Sequence, residues 1–271
     1  MQKLLTIFLI LNIIFSISVK GQKEESYKLI ASITGDIVDF TVDNLDNVYV
    51  LTGTDQLKKY NTNGDSIAAF NNVKNFGKVS GIDVSNPLKV LLYYKDFSTI
   101  VILDRLLAVR STIDLRSQNI FQVNTIGQSY DNNIWLYDEG DSKLKKIDDA
   151  GKILQETADF RLLFNEAPHI KNIYDQDGFV YLYDPDQNVF VFDYYGALRN
   201  KILISGWEDF KVAGRYIFGI NSDTLHRYEI NTFRLDEEKL PMPLINSLKV
   251  NFTSSRLYAL RKGMLQIYNL H

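Results

Sequence analysis

A short two-segment pattern recurs six times along this chain and limits its possible folds more than any other feature. In each unit an apolar, usually aromatic segment is followed by a second apolar-polar segment that ends on Asp, Asn or Glu. The first segments span 46–52, 87–93, 132–138, 178–184, 214–220 and 255–261. The second segments end on Asn61, Asp104, Asp148, Asp193, Glu229 and Asn269, at spacings of 36 to 45 residues.

Six units of similar length predict an all-β fold, a six-bladed β-propeller with four antiparallel strands per blade. A further strand precedes most segment pairs, as at 39–43 and 209–213, and another usually follows. The sixth unit ends directly after its third strand. We expect the strand at 27–33 to supply the missing fourth strand and close the last blade, which removes an open sheet edge.

One unit, DFTVDNLDNVYVLTGTDQLKKYNTNG at 39–64, resembles the repeats of NHL-type and YVTN-type propellers. The segments at 135–151 and 181–196 are similar to it, and the likeness extends over nearly all of residues 22–271. The resemblance implies the propeller fold. Units two and five lack the glycine that the pattern places in its last turn.

The first 21 residues have the features of a secretory signal peptide, with a short positive start and an apolar run over 4–17. The domain is then expected to span 22–271. The chain has no cysteine, which excludes disulfides and a lipid anchor on an N-terminal cysteine. We expect an exported bacterial protein, periplasmic or extracellular, with no direct membrane anchor. A net charge of −3 offers no general attraction to nucleic acid.

Enzymatic motifs are scarce. The histidines His169, His226 and His271 are scattered, and the sequence contains no nucleophile elbow, phosphate loop or dinucleotide fingerprint. No cofactor is therefore predicted. The enzymatic alternative is a calcium-dependent lactonase or esterase, because propellers of the gluconolactonase and paraoxonase type hold a metal in the central channel.

Oxygen-bearing side chains on or next to the predicted innermost strands are the candidate ligands for such a metal, since calcium prefers oxygen donors. These residues are Asp39, Asp83, Asn124, Asn172, Asp209 and Asn246. The other interpretation is that they are small polar groups beside water in the channel.

The turns between the second and third strands carry a regular series of acids, namely Asp55, Asp96, Asp138, Glu139, Asp141, Asp184, Asp186 and Asp223. Aromatic residues stand near them at Tyr93, Tyr94, Phe97 and Tyr183, whereas Tyr194 and Tyr195 belong to the opposite face. Two interpretations remain open. The acids stabilise tight turns and the aromatics pack between blades, or together they form a docking face for a basic partner.

Two longer connections, 111–124 and 158–172, interrupt the repeat, and the second contains Phe160, Leu162, Leu163 and Phe164. These apolar side chains either pack over a blade edge or contact another subunit. The predicted function is a non-enzymatic protein-protein interaction scaffold, a soluble periplasmic subunit of an outer-membrane assembly or secretion complex. Besides the lactonase, a glycan-binding or sensory propeller remains an alternative.

Overall fold

The computed structural model describes residues 27–71, 73–164 and 166–270. They form six four-stranded antiparallel sheets that are arranged as the blades of a ring, with the first strands of neighbouring blades in contact at five boundaries. Within five sheets the strands follow chain order from the inner to the outer edge. The predicted six-bladed propeller is confirmed.

The strands of each blade are as follows. Blade 1 contains β2 (Ile37–Val42), β3 (Val48–Thr52), β4 (Leu57–Tyr60) and β5 (Ser66–Phe70), and blade 2 contains β6 (Gly81–Asp83), β7 (Val90–Tyr94), β8 (Thr99–Leu103) and β9 (Val109–Asp114). Blade 3 contains β10 (Val123–Gln128), β11 (Ile134–Asp138), β12 (Lys143–Ile147) and β13 (Ile153–Glu156).

Blade 4 contains β14 (Asn172–Gln176), β15 (Phe179–Tyr183), β16 (Val189–Asp193) and β17 (Leu198–Ile202). Blade 5 contains β18 (Glu208–Ala213), β19 (Tyr216–Asn221), β20 (Thr224–Glu229) and β21 (Arg234–Lys239). Blade 6 contains β22 (Lys249–Phe252), β23 (Arg256–Arg261), β24 (Met264–Leu270) and β1 (Tyr27–Thr34). The connections contain α-helical turns at Val73–Phe76 and Phe160–Phe164, and 3₁₀ turns at Lys95–Phe97, Arg116–Gln118 and Met242–Leu244.

The ring is closed by pairing between the two ends of the described chain. Strand β1 runs antiparallel to β24, from Tyr27 opposite Leu270 to Thr34 opposite Met264. The predicted closure by the strand at 27–33 is therefore confirmed. The predicted signal peptide, residues 1–21, and His271 lie outside the described residues.

The apolar core is divided among the six boundaries between blades. Successive residues of a strand point to opposite faces, so Leu91 and Tyr93 of β7 pack towards blade 3 while Leu92 and Tyr94 pack towards blade 1. Six buried clusters result among the described residues, one at each boundary. This explains why the central strands are apolar on both faces.

Large aromatic side chains in the second strands fill the space between blades, as the sequence predicts. These are Tyr49, Trp135, Tyr181 and Tyr258, and all four are buried. Each belongs to a different boundary cluster, so the aromatic position of the repeat is a packing position.

The Asp or Asn at the end of the third strand in blades 1 to 4 stabilises the turn that follows. Asp193 Oδ1 accepts the N–H groups of Tyr195 and Ala197, both at 2.9 Å. Asn61, Asp104 and Asp148 bond the N–H groups two and four residues ahead in the same way. These backbone bonds lower the pKa of Asp104 and of Asp193. The repeated acid is therefore a turn residue.

The same turn requires a left-handed backbone at its fourth position. Gly64, Gly151 and Gly196 supply it with φ of 85 or 86°. In blade 2, Leu107 adopts φ of 63° at this position, and in the turn of blade 5, which is one residue longer, Phe233 adopts φ of 58° just before the fourth strand. A left-handed conformation is unfavourable for residues with a Cβ atom, so blades 2 and 5 hold strained turns.

Antiparallel strand order places the connections on two opposite faces of the ring. We call "bottom" the face with the turns between second and third strands and the connections between blades. The "top" face carries the turns between first and second and between third and fourth strands. Hydrogen bonds agree with this assignment, since Phe160 N, in a connection between blades, donates to Ser142 O in a turn of blade 3.

The connection at 158–172 packs over the blade edge with part of its apolar segment, as one of the two interpretations expects. Phe160 is fully buried and stacks on Phe192 with 4.9 Å between ring centroids, and Phe164 packs on Phe190 at 4.5 Å. Leu162 and Leu163 point away from this cluster and are exposed. Half of the apolar segment thus covers the blade edge, and half remains on the bottom surface.

Candidate functional site

The predicted calcium ligands join blades to one another. Asp83 of blade 2 accepts Gln128 N of blade 3 at 2.7 Å, and Asp209 of blade 5 accepts Val250 N of blade 6 at 2.7 Å. The remaining Asp83 oxygen accepts both the N–H and the hydroxyl of Ser85 at 2.7 Å. Burial raises the pKa of Asp209.

Two further members of this set make similar contacts. Asp39 Oδ1 lies 2.6 Å from Lys249 Nζ of blade 6. Asn124 accepts Lys95 Nζ at 2.8 Å and donates to Ile170 O at 2.9 Å. Asn172 begins β14, whereas Asn246 is exposed in the connection before β22. Among residues 27–71, 73–164 and 166–270, no three His, Asp or Glu side chains are grouped as a metal site requires.

The docking role predicted for three tyrosines is wrong, because their side chains are buried between blades. Tyr93 OH donates to Val123 O at 2.8 Å. Tyr183 OH donates to Trp207 O at 2.9 Å and accepts Trp207 N at 2.8 Å. Tyr94 packs against Phe76, with 5.3 Å between ring centroids. Even at the end of a second strand, the side chain still points into the boundary between blades.

Two of the predicted docking acids are also buried, so their expected surface role is wrong. Asp184 accepts His169 N at 2.8 Å and Asp186 N at 2.9 Å. Asp138 pairs with the buried Lys145 ammonium at 2.7 Å. Burial alone lowers the pKa of Lys145, but Asp138 and Asp141 outweigh it and raise the pKa above its usual value.

The other predicted docking residues reach the bottom surface in part or fully. Asp55 and Glu139 are half-buried, while Asp96, Phe97, Asp141, Asp186 and Asp223 are exposed. Asp55 accepts Val79 N at 3.3 Å, and Glu139 Oε1 lies 3.6 Å from His169 Nδ1. The acidic docking face that one interpretation of the sequence expected is thus reduced to separate carboxylates, and Asp141 among them is paired with Lys145 at 2.5 Å.

Exposed apolar side chains form an arc on the bottom face that the sequence revealed only in part. They are Phe97, Phe121, Leu162, Leu163, Leu203, Met242 and Leu248, which we call the apolar arc. Each of the four connections that join successive blades from blade 2 to blade 6 contributes at least one of these side chains. Leu203 is 85% exposed, and Leu162 is 81% exposed. Apolar patches of this kind mark interaction surfaces where their side chains are contiguous.

A cleft of about 720 Å³ lies at the boundary of blades 3 and 4. Its lining comprises Tyr130, Lys146, Gln155, Gly178, Phe179, Asp193, Tyr194, Tyr195 and Arg199. We call it the 3/4 cleft. Tyr130 belongs to the first turn of blade 3, and Tyr194 and Tyr195 belong to the last turn of blade 4, so the cleft opens at the top face.

Strand register builds the blade 3 wall of this cleft. Gly127, Trp135, Lys146 and Gln155 lie directly opposite one another across the four strands of blade 3. A Cβ atom at Gly127 would come within 2.9 Å of Ile173 O, so the missing side chain lets blade 4 approach. The row therefore faces blade 4 and continues outwards into the cleft.

The Lys146 ammonium lies among aromatic rings at the inner end of the 3/4 cleft. It stands 4.9 Å from the ring centroids of both Tyr130 and Trp135 and 5.7 Å from that of Tyr194. It also pairs with Asp131 at 2.6 Å. Cation–π attraction and an ion pair thus fix the lysine.

Comparison with known proteins shows the fold. Solved structures with a similar fold include virginiamycin B lyase from Staphylococcus aureus, at a TM-score of 0.65 and 14% identity, over 90% of this chain and 100% of that chain. The WD40 domain of Neurospora crassa Pan2 matches with a TM-score of 0.67 and 8% identity, over 91% and 96% of the two chains. The propeller domain of Myceliophteria thermophila Cps50 (Swd1) matches with a TM-score of 0.59 and 10% identity, over 90% of this chain and 100% of that chain.

The similarity is one of architecture. No protein-family model matches the sequence, and no curated protein matches it either. The structural neighbours include an enzyme and WD40 domains, and at these identities they establish a shared fold without a shared activity. The chain is a six-bladed propeller.

Two of the three histidines lie within the described residues. His226 stacks on Trp207 at 4.9 Å between ring centroids, and His169 is exposed beside Glu139. None of the helices in the described part of the chain is long and apolar enough to cross a membrane.

Proposed function

We propose that this protein is a non-enzymatic, protein-binding propeller that acts as an exported, soluble subunit of an outer-membrane assembly or secretion complex. The observation that carries this proposal is the apolar arc on the bottom face. Blade-to-blade connections need no exposed leucine, methionine or phenylalanine, and yet four successive connections present them. Burial of such side chains against a partner is favourable by about 25 cal/mol per Å² of apolar surface.

The charges around the arc favour a partner with basic groups at the edge of an apolar patch. Asp96, Asp186 and Asp223 are exposed on the same face, at turns that neighbour the arc. Exposed carboxylates at the rim of an interface speed encounter and select the partner more than they add affinity. The apolar arc supplies the affinity in this proposal.

The test is a crosslinked pull-down from native envelope membranes with the tagged full chain and two matched pairs of variants. Leu203→Asp and Met242→Asp change the apolar arc. As controls, Leu45→Asp and Leu88→Asp change two exposed leucines in top-face turns, which are 63% and 64% exposed. The proposal predicts stoichiometric recovery of one outer-membrane protein with the wild type and the top-face variants, and at least a tenfold loss with the arc variants.

Recovery that is equal for all four variants would contradict a role for the arc. Recovery of no protein above background would contradict the subunit proposal itself. Circular dichroism and thermal unfolding of each variant establish that lost recovery reflects lost binding, since substitutions at exposed sites normally change stability little.

A further inference from the structure

We infer that the 3/4 cleft is a binding site for a neutral oligosaccharide. It lies on the top side of the ring, whereas the apolar arc lies on the bottom, so it is independent of the proposed docking surface. Its volume of about 720 Å³ falls within the roughly 300–1,000 Å³ of small-molecule sites. The chemical class of the ligand follows from three properties of the lining.

The first property is a set of accessible aromatic planes. Tyr130 and Tyr194 stack in parallel, with 4.3 Å between centroids and 8° between ring planes, and Tyr130 is still 64% exposed. Tyr195 follows Tyr194 at the tip of the turn and is 90% exposed, and Phe179 adds a partly exposed ring. Flat aromatic surfaces at the wall of a cleft suit the apolar C–H faces of pyranose rings.

The second property is a set of planar polar groups beside those rings. The half-buried Gln155 side-chain amide lies on β13 and lines the cleft. Arg199 and Asp193 form a fork in which Nε and Nη2 of the arginine lie 2.9 and 2.6 Å from Asp193 Oδ2. Amide, carboxylate and guanidinium groups together offer the donors and acceptors that sugar hydroxyls require.

The third property is the internal pairing of charge, which argues against an ionic ligand. Lys146 pairs with Asp131 and Arg199 pairs with Asp193. The Lys146 ammonium already occupies the place among Tyr130, Tyr194 and Trp135 that a ligand cation would take. An anion would have to compete with the existing carboxylates. A ligand without net charge meets neither obstacle.

The site is also organised before any ligand arrives. Asp175 of blade 4 accepts Trp135 Nε1, Ser129 Oγ and Tyr130 N through Oδ2, at 2.9, 3.1 and 3.1 Å. Its other oxygen accepts Tyr194 OH at 2.5 Å. One carboxylate therefore fixes both stacked tyrosines, and a fixed aromatic platform loses little entropy on binding.

The experiment measures binding of maltohexaose, cellohexaose, chitohexaose and mannohexaose to the full chain by saturation-transfer NMR and calorimetry. The expected result is binding of at least one hexasaccharide that weakens at least tenfold in Tyr195→Ala and in Gln155→Ala. Phe233→Ala is the matched control, since Phe233 occupies the corresponding last turn of blade 5 and is 66% exposed; its affinity is expected to stay within twofold of wild type.

Two further arms separate the alternatives. A tenfold preference for the hexasaccharide over its monosaccharide is the expected result for an oligosaccharide site. Equal affinities would overturn the oligosaccharide assignment in favour of a small free sugar. Raising the salt concentration from 50 to 500 mM is expected to change the affinity less than twofold, because the charges of the cleft are paired.

Failure to bind all four hexasaccharides would overturn the inference, as would binding that Tyr195→Ala and Gln155→Ala leave intact. Preferential, salt-sensitive binding of a heparin hexasaccharide or an acidic peptide would overturn it in favour of an anionic ligand. None of these variants touches the bottom face, so their outcome is independent of the pull-down with the arc variants.

Discussion

The indole N–H of Trp135 donates to the Asp175 carboxylate at 2.9 Å, and this bond joins the second strand of blade 3 to the first strand of blade 4. Related bonds occur at other boundaries, where Tyr93 reaches Val123 O and Asp209 reaches Val250 N. Apolar packing alone is non-directional. These polar bonds give each boundary between blades a defined geometry.

Replacement of Asp175 by alanine is expected to lower the free energy of unfolding by about 3 kcal/mol, because it leaves several partly buried donors without an acceptor. Chemical unfolding followed by tryptophan fluorescence measures this loss. Asp223→Ala removes an exposed carboxylate of the bottom face and is expected to change stability by less than about 0.5 kcal/mol. Equal effects of the two variants would contradict a structural role for Asp175.

Lys211 gives the protein a specific pH dependence of stability. Its ammonium donates to Asn251 Oδ1 at 3.1 Å and Phe252 O at 2.9 Å, and desolvation lowers its pKa from 10.5 to about 8. Between those two values the unfolded chain binds the proton and the folded chain does not. Stability therefore rises with pH across this window, and the destabilising contribution is fully present below pH 8.

The measurement compares wild type with Lys211→Met at pH 7 and pH 9.5. The stability of the wild type relative to the variant is expected to increase by about 2 kcal/mol between these pH values. Lys152→Met, which removes an exposed lysine, controls for the general effect of charge. A wild-type advantage that stays constant or falls towards pH 9.5 would contradict the buried position of the Lys211 ammonium.

The strained turn of blade 5 offers a test of backbone conformation. Phe233 holds φ of 58° in the turn before the fourth strand of blade 5, where the turns of blades 1, 3 and 4 use glycine for their left-handed residue. We expect Phe233→Gly to be about 1 kcal/mol more stable than Phe233→Ala, because only the glycine removes the left-handed strain. Thermal unfolding of both variants measures the difference, and a more stable alanine variant would show that the turn imposes no such strain.

Calcium is expected to leave the thermal stability unchanged. A ligand that binds only the folded state raises the melting temperature, but Asp83 and Asp209 already bond backbone N–H groups of the next blade. Melting curves with millimolar calcium and with a chelator should coincide. A rise with calcium that disappears in Asp83→Asn would reverse this expectation and return the channel to consideration as a lactonase site.

The sequence predicts much of the fold because the residues within each unit determine the strands and turns of that unit. Alternating apolar residues set the two faces of β3 or β15, and Asn61 or Asp193 marks the turn through bonds to N–H groups two and four residues ahead. These interactions are short in sequence, so they recur wherever the pattern recurs. The number of blades and the closing strand at 27–33 followed directly from that regularity.

Site prediction from the same patterns was less successful, and Tyr183 and Asp184 show why. Both stand near a turn, and turns are usually exposed, yet both side chains are buried. Tyr183 bonds Trp207 in the next blade, and Asp184 bonds His169 in the preceding connection. Exposure at these positions depends on the neighbouring blade, which a single repeat does not describe.

The chain's local chemistry therefore determined its strands, its turns and the six-fold count, because hydrogen bonds and side-chain alternation within a unit suffice for them. The tertiary structure alone decided which side chains lie together. Tyr130 and Tyr194 are separated by 64 residues in sequence and stack at 4.3 Å, and the leucines of the apolar arc share one face only because the blades form a ring. Contacts between blades come from closure of the whole ring, and no segment of the chain encodes that closure by itself.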